Sequence, residues 1–121
     1  MKLLVVDDDA LVRRSLARAL RRRGHDVHEC ASAAEALEVL GGTRFDGVIT
    51  DLWMPEQDGF ALLTQAKQLA PETPVVIITG LPHPGQEVRA LELGAEAFRK
   101  KPVRAAELEQ LLGRSSAQVA G

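Results

Sequence analysis

The stretch Val48-Ile49-Thr50-Asp51-Leu52-Trp53-Met54-Pro55-Glu56-Gln57-Asp58-Gly59 sets the reading of the whole chain. An apolar run ends on a lone carboxylate, then passes through Pro55 and an Asp58-Gly59 turn into a new helical pattern. Asp51 is therefore expected at the carboxyl end of a buried strand, where open α/β sheets place their ligands. An anion aimed out of a core has to be explained by its neighbours.

Outward toward the amino terminus, Phe45 to Asp51 reads as a third strand, preceded by a helix through Ala33, Ala36, Leu37 and Leu40 that stops at Gly41-Gly42. Ser32, with Glu35 three residues on, forms a capping box for that helix. Asp26 to Ala31 alternates weakly and suits a strand near the sheet edge. Before it, Leu11, Val12, Ser15, Leu16, Ala19 and Leu20 follow a helical spacing between Ala10 and Arg23, with Gly24 as terminator. Arg13, Arg14, Arg18, Arg21 and Arg22 lie mostly off that stripe and give the helix a basic outer face. Asp8 or Asp9 is positioned to cap it. Lys2 to Val6 is a short apolar run of the kind buried on both faces of a parallel sheet, and it ends in Asp7-Asp8-Asp9.

Outward toward the carboxyl terminus, Phe60, Leu62, Leu63, Ala66 and Leu69 mark a third helix that stops before Pro71. Pro74 to Thr79 is the most hydrophobic strand and is expected to be central. The loop Gly80 to Gly85 follows, in which Pro82 and Pro84 are expected to limit the conformers available. A helix containing Val88, Leu91 and Leu93 closes at Gly94, and Ala95 to Phe98 is a short fifth strand ended by Lys101-Pro102. Val103 to Leu112 makes the last helix, and residues 113–121 read as a polar tail or the start of a linker.

Five strands alternating with five helices give an α/β chain with a single doubly wound parallel sheet covered on both faces. A length of 121 residues suits one domain, placed here at 1–112. With 15 basic and 17 acidic side chains there is no general attraction to nucleic acid, and no residues form a DNA-reading motif, so no direct nucleic acid binding by this segment is expected. The lone Cys30 excludes an internal disulfide and reads as a small buried hydrophobe. The absence of a secretory or membrane-spanning run makes cytoplasm the expected location. His25, His28 and His83 have no ligand spacing and are read as surface residues.

Four strand ends converge on one edge of such a sheet: Asp7-Asp8, Asp51, Thr79 and Lys101. Carboxylates packed together repel unless a cation joins them, and hard oxygen ligands are what Mg²⁺ prefers. A hydroxyl and an ammonium beside them would serve the oxygens of a phosphoryl group carried by a carboxylate. These residue types together point to phosphoryl transfer onto Asp.

Val5-Val6-Asp7-Asp8, Thr50-Asp51-Leu52-Trp53-Met54-Pro55 with Asp58-Gly59, Ile78-Thr79-Gly80, and Gly94-Ala95-Glu96-Ala97-Phe98-Arg99-Lys100-Lys101-Pro102 resemble the signature blocks of the receiver domain of two-component response regulators. The resemblance spans residues 2 to about 112. It implies a flavodoxin-like sheet of strand order 2-1-3-4-5 and a regulatory phosphoacceptor, not an enzyme acting on other substrates. Asp51 would accept the phosphoryl group from a sensor histidine kinase or a histidine phosphotransfer domain. Asp8 and Asp51 would ligate Mg²⁺ directly, Asp7 through water, and the backbone carbonyl of Trp53 would complete the protein ligands. Thr79 and Lys101 would hold the phosphoryl oxygens, with Thr79 and Phe98 as the switch pair. The changed surface, around the fourth helix, fifth strand and fifth helix, would meet an output domain or a second copy.

Trp53 and Leu81, two residues beyond Asp51 and Thr79, are apolar where water would approach, so slow self-dephosphorylation is expected. Arg14 and Arg18 on the first helix are candidates for docking the phosphodonor. Two other functions fit parts of the pattern. A haloacid dehalogenase-like phosphohydrolase would use Asp7-Asp8-Asp9 but needs a further acidic motif, for which Glu107 and Glu109 are the available residues. A phosphorylation-independent interaction module would leave the full set of acceptor residues without a purpose.

Overall fold

The computed structural model describes the backbone of residues 1–120 and the side chains of residues 1–113. The elements run β1 Lys2–Val6, α1 Ala10–Arg22, β2 Asp26–Cys30, α2 Ala33–Gly42, β3 Gly47–Asp51, α3 Gly59–Leu69, β4 Val75–Thr79, α4 Gln86–Glu92, β5 Ala97–Lys100 and α5 Ala105–Ala120. All four strand pairings are parallel, in the order β2-β1-β3-β4-β5. β2 is an edge strand, as its weak alternation suggested, and β4 is an interior strand although the middle position belongs to β3.

Both faces of the sheet are apolar, and strand alternation sorts them. Leu4, Val6, Val48 and Ile77 pack with α2 and α3, while Leu3, Val5, Ile49, Val76 and Ile78 pack with Ala17 and Leu20 of α1 and Leu108 and Leu112 of α5. Burial of this kind contributes about 25 cal/mol per Å² of apolar surface, the main favourable term in folding. Cys30 is buried, and desolvation pushes its thiol up to about 12, which makes it an inert core residue.

The helix starts follow the expected chemistry. Asp9 Oδ1 accepts from the Leu11 and Val12 amides, Ser32 Oγ from the Glu35 amide, and Asp58 Oδ1 from the Ala61 amide. The Glu35 carboxylate reaches back to the Ala31 amide, one residue earlier than the usual capping box.

Several boundaries differ from the sequence reading. β5 begins at Ala97, not Ala95, because Gly94 leaves α4 at φ 103° and the Ala95 amide still donates to the Ala90 carbonyl. α5 continues to Ala120 where an end at Leu112 was expected, with Gly113 inside the helix. An isolated interior glycine costs a helix only about 1 kcal/mol, and Ser115 to Ala120 contains no proline to stop it. A tail or linker role for 113–121 falls mostly on residues whose side chains lie outside those described.

His25 is not the surface residue expected. Its ring lies between the Met1 amine, 2.9 Å from Nδ1, and Glu109, 2.8 Å from Nε2, and Arg23 Nε also reaches Glu109 at 2.9 Å. The corner between α1 and β2 is thereby fastened to α5. The Arg23 hydrogen bond, then that of His25, pulls the Glu109 carboxyl down from 4.5 to about 2. A depressed carboxyl pKa adds stability that is present above the unfolded value of 4.5 and is lost as pH falls toward about 2. Glu109→Gln is expected to lower the urea midpoint above about pH 4.5, where the contribution is present, and to flatten the acid limb, so that variant and wild type converge as pH falls toward about 2. A wild-type acid limb retained in full by the variant would assign it to other carboxylates.

Candidate functional site

The site is built from strand ends. The Asp7 amide donates to the Cys30 carbonyl, the Leu52 amide to Ile78 and the Lys101 amide to Thr79, so the sheet holds the backbone just past β1, β3 and β5. Alternation carries Asp7, Asp51 and Lys101 to the face shared with α1 and α5, in line with Val5, Ile49 and Ala97. Thr79 and Phe98 fall on the other face, in line with Ile77.

Asp7, Asp8 and Asp51 each offer a carboxylate oxygen within 4.8 Å of the other two. Asp7 and Asp51 are buried and Asp8 is exposed. Lys101 Nζ bridges the buried pair, 2.8 Å from Asp7 Oδ2 and 3.1 Å from Asp51 Oδ1. Burial first, and then the charge of Asp7, raise the Asp51 pKa, with Lys101 and the Leu52 amide pulling the other way. Burial also works against the Lys101 ammonium, but its bonds to Asp7 and then Asp51 outweigh that and hold its pKa above the ordinary value. One ammonium faces two buried carboxylates and a third nearby, so the cluster carries an excess of negative charge that a hard cation would balance. The donor set, carboxylate oxygens with one exposed member open to water, fits a Mg²⁺-sized ion.

The end of β3 is held by local hydrogen bonds and by the start of α3. Thr50 Oγ1 donates to the Asp51 carbonyl at 2.9 Å, and the Gly59 amide donates to the Leu52 carbonyl at 2.8 Å. The start of α3 passes so close that a Cβ on Gly59 would stand 2.7 Å from the Asp51 carbonyl oxygen and 3.0 Å from the Leu52 Cα. Gly59 is therefore needed for close approach and not for a turn; the left-handed residue of this loop is Glu56, at φ 69°. Gly59→Ala is expected to cost about 1–3 kcal/mol, since the atoms in its way are all backbone of Asp51 and Leu52 and offer no flexible end to yield. Chemical denaturation would measure this, and a change below about 0.5 kcal/mol would mean that α3 slides away freely.

Thr79 and Phe98 stand apart from the carboxylates. Thr79 is fully buried, and its Oγ1 accepts the Leu81 amide at 3.2 Å. Phe98 is buried in the same apolar cluster as Phe60, Leu63 and Ala90. Lys100 is exposed, as alternation required of the neighbour of Lys101.

Some site residues were not foreseen. Arg13 belongs to the inner side of α1, where its Nη1 donates to the Asp7 carbonyl at 2.8 Å and its Nε pairs with Glu29 at 3.3 Å. Its place one turn before Ala17 on the buried face was the available signal. Arg21 also folds back onto Glu29, so the outward ridge of α1 reduces mainly to Arg14, Arg18 and Arg22. Leu11 and Val12, assigned to the core stripe, are exposed, and with Ser15, Leu16 and Ala19 they line a groove that reaches Pro102 and Val103. Trp53 is half-exposed, yet its Nε1 donates to the Leu81 carbonyl at 3.2 Å.

A doubly wound parallel sheet with an acidic cluster and a bridging lysine at its carboxyl edge makes this an α/β domain with a cation-fitting site at its strand ends. The chain belongs to the response regulator receiver domain family, whose model matches residues 3–113. The response regulator MprA of Mycobacterium sp. (strain KMS) is 34% identical over 117 residues, covering 97% of this chain and 50% of that protein. The chain thus spans about half the length of the curated relatives it matches. The CheY-like receiver domain protein of Methanospirillum hungatei JF-1 superposes with a TM-score of 0.90 at 28% identity, over 97% of each chain. A response regulator of Burkholderia pseudomallei, solved with a phosphorylated aspartic acid, a calcium ion and citrate, gives 0.86 at 29% identity, over 98% of this chain and 71% of that one.

Proposed function

We propose that Asp51 is the phosphoacceptor of this receiver, taking a phosphoryl group from the phosphohistidine of a sensor histidine kinase or a histidine phosphotransfer domain. The observation that carries this is the joining of Asp7, Asp8, Asp51 and Lys101 in one cluster, from three strands distant in sequence. The phosphorylated aspartic acid and calcium ion of the Burkholderia relative support the same chemistry here. Mg²⁺ would be held by Asp8 and Asp51, by Asp7 through water, and by the Trp53 carbonyl. Bound there, the ion neutralises charge on the transferring phosphoryl group.

An Asp51 oxygen forms a bond to phosphorus as the phosphorus–nitrogen bond of the donor breaks, and the imidazole leaves with that electron pair. Lys101 gives up part of its pairing with Asp51 and binds a phosphoryl oxygen, which keeps the added charge beside a cation. Thr79 turns its hydroxyl toward another phosphoryl oxygen, and Phe98 follows on the α4 side as the switch aromatic. The chemistry ends with the domain's own phosphorylation and dephosphorylation. Glu107 and Glu109 pair with Arg99 and Arg23, which supports the regulatory reading over that of a phosphohydrolase.

The groove between α1 and the start of α5, about 750 Å³, is lined by Lys101 and Arg104 and suits the helical phosphodonor, while Arg14 and Arg18 line a separate basic patch of α1. Exposed Val88 and Leu91 on α4 support the α4, β5 and α5 surface as the one that meets an output domain or second copy. No helix among the described residues is long and apolar enough to cross a membrane. Treatment with acetyl phosphate and Mg²⁺ followed by intact-mass measurement tests the reading: one phosphoryl addition, mapped to Asp51, is expected, and none at Asp51 would overturn it.

A further inference from the structure

We propose that Trp53 is a positioning residue for Thr79, a latch that ties the loop after β3 to the loop after β4. Both polar groups of the Leu81 backbone are occupied: its amide donates to Thr79 Oγ1 at 3.2 Å, and its carbonyl accepts the indole N–H of Trp53 at 3.2 Å. The indole also lies against the His83 ring, with centroids 5.4 Å apart and the planes tilted by 56°. Trp53 and Leu81 are 46% and 70% exposed, so burial does not orient either side chain. The hydrogen bond and the ring contact do.

The contacts run on into α4. The His83 amide donates to Gln86 Oε1 at 2.8 Å, and the His83 carbonyl accepts the Gln86 amide, where α4 begins. Pro82 and Pro84 flank His83 and fix φ on both sides, so a shift at Leu81 passes to α4 and is not absorbed in the loop. While the Leu81 amide donates to Thr79 Oγ1, it holds the side chain in a rotamer on the loop side, although the hydroxyl proton stays free to donate. To reach a phosphoryl group on Asp51 the side chain must leave that amide, and the indole decides how readily Leu81 lets go. Trp53 thus stabilises the resting arrangement and opposes the switched one. The role depends on Asp51 being the phosphoacceptor.

Trp53 is the sole tryptophan, so its indole N–H is a single resonance and its fluorescence reports one place. Beryllofluoride with Mg²⁺, a mimic of the phosphoryl group, serves as the probe on the whole chain. In the wild type the indole N–H and the Leu81 amide are expected to shift together as the probe binds. Trp53→Phe keeps a ring for His83 but removes the donor, and it should bind the probe roughly three- to fivefold more tightly, the factor expected for one lost resting-state hydrogen bond. Leu81→Ala keeps both backbone groups and should bind within about twofold of wild type. An unmoved indole together with unchanged affinity in Trp53→Phe overturns the latch and leaves the Asp51 reading intact. So does a Leu81→Ala affinity that matches Trp53→Phe, because bulk and not the donor would then be the cause. Failure of the wild type to bind the probe at all overturns the Asp51 reading itself, and the latch with it.

Discussion

Asp51→Asn is expected to gain no phosphoryl group from acetyl phosphate and Mg²⁺, and to unfold at a higher temperature than the wild type when Mg²⁺ is withheld. The first effect follows from the loss of the nucleophile, since a neutral amide cannot form the acyl phosphate. The second follows from electrostatics. Asp51 is 7% exposed, and burial and the neighbouring Asp7 both act against its charge. The amide keeps an oxygen for Lys101 while removing that charge, a gain on the order of 1 kcal/mol and so a few degrees in Tm. Mg²⁺ should narrow the gap, because the wild type gains from a ligand that binds only the folded state and the variant gains less. Thermal melts with and without Mg²⁺, beside intact-mass measurement, check both parts. A phosphorylated variant would disqualify Asp51 as the acceptor. A variant less stable than wild type without Mg²⁺ would mean that Lys101 more than offsets the repulsion.

Lys101→Ala is expected to have the largest effect on stability. Its ammonium is the cation found between two carboxylates whose side chains are 3% and 10% exposed. Removing one partner of a buried ion pair typically costs about 3–5 kcal/mol, because the charges left behind are neither solvated nor paired. Added Mg²⁺ should restore a large share of the loss, since it supplies the missing positive charge to the same oxygens. It should not restore phosphorylation, where loss of a cation on the transferring oxygens costs about 10²–10³ in rate. Lys100→Ala, on the opposite and exposed side of the chain, should stay within about 0.5 kcal/mol of wild type. Urea titrations of both variants at several Mg²⁺ concentrations read these differences. A Lys101→Ala loss that Mg²⁺ leaves untouched would trace the damage to packing instead of charge.

The carboxylates and the lysine were legible in the sequence because they stand at strand ends: Asp7 after Val6, Asp51 after Val48-Ile49-Thr50 and Lys101 after the fifth strand. Period-two alternation sends Lys100 and Lys101 to opposite sides, and the following Pro102 matches Lys101 to the family motif. The strand order came from family resemblance, since parallel pairing alone leaves several orders open. What stayed hidden depends on contacts across the fold. Nothing local says that Gly59 must pass within reach of the Asp51 carbonyl, that Trp53 finds the Leu81 carbonyl, or that His25 is enclosed by Met1 and Glu109. Arg13 was assigned to the outer face by its charge, although it stands one turn before Ala17 on the inner side of α1, where its long side chain reaches the Asp7 carbonyl.

The alternation of β1, β3, β4 and β5 has a consequence for how news of phosphorylation travels. The carboxylates and the ammonium occupy one side of the sheet, and the hydroxyl and the aromatic ring occupy the other. The strands between them are wholly enclosed on both sides, from Val48 to Ile49 and from Val75 to Ile77, and behave as a partition through which no side chain can pass. A disturbance at Asp51 can therefore reach the far side only over the rim, through the loops that leave the strand ends. Substitutions inside the partition should alter how firmly the domain holds together, whereas those along the rim should alter what it reports.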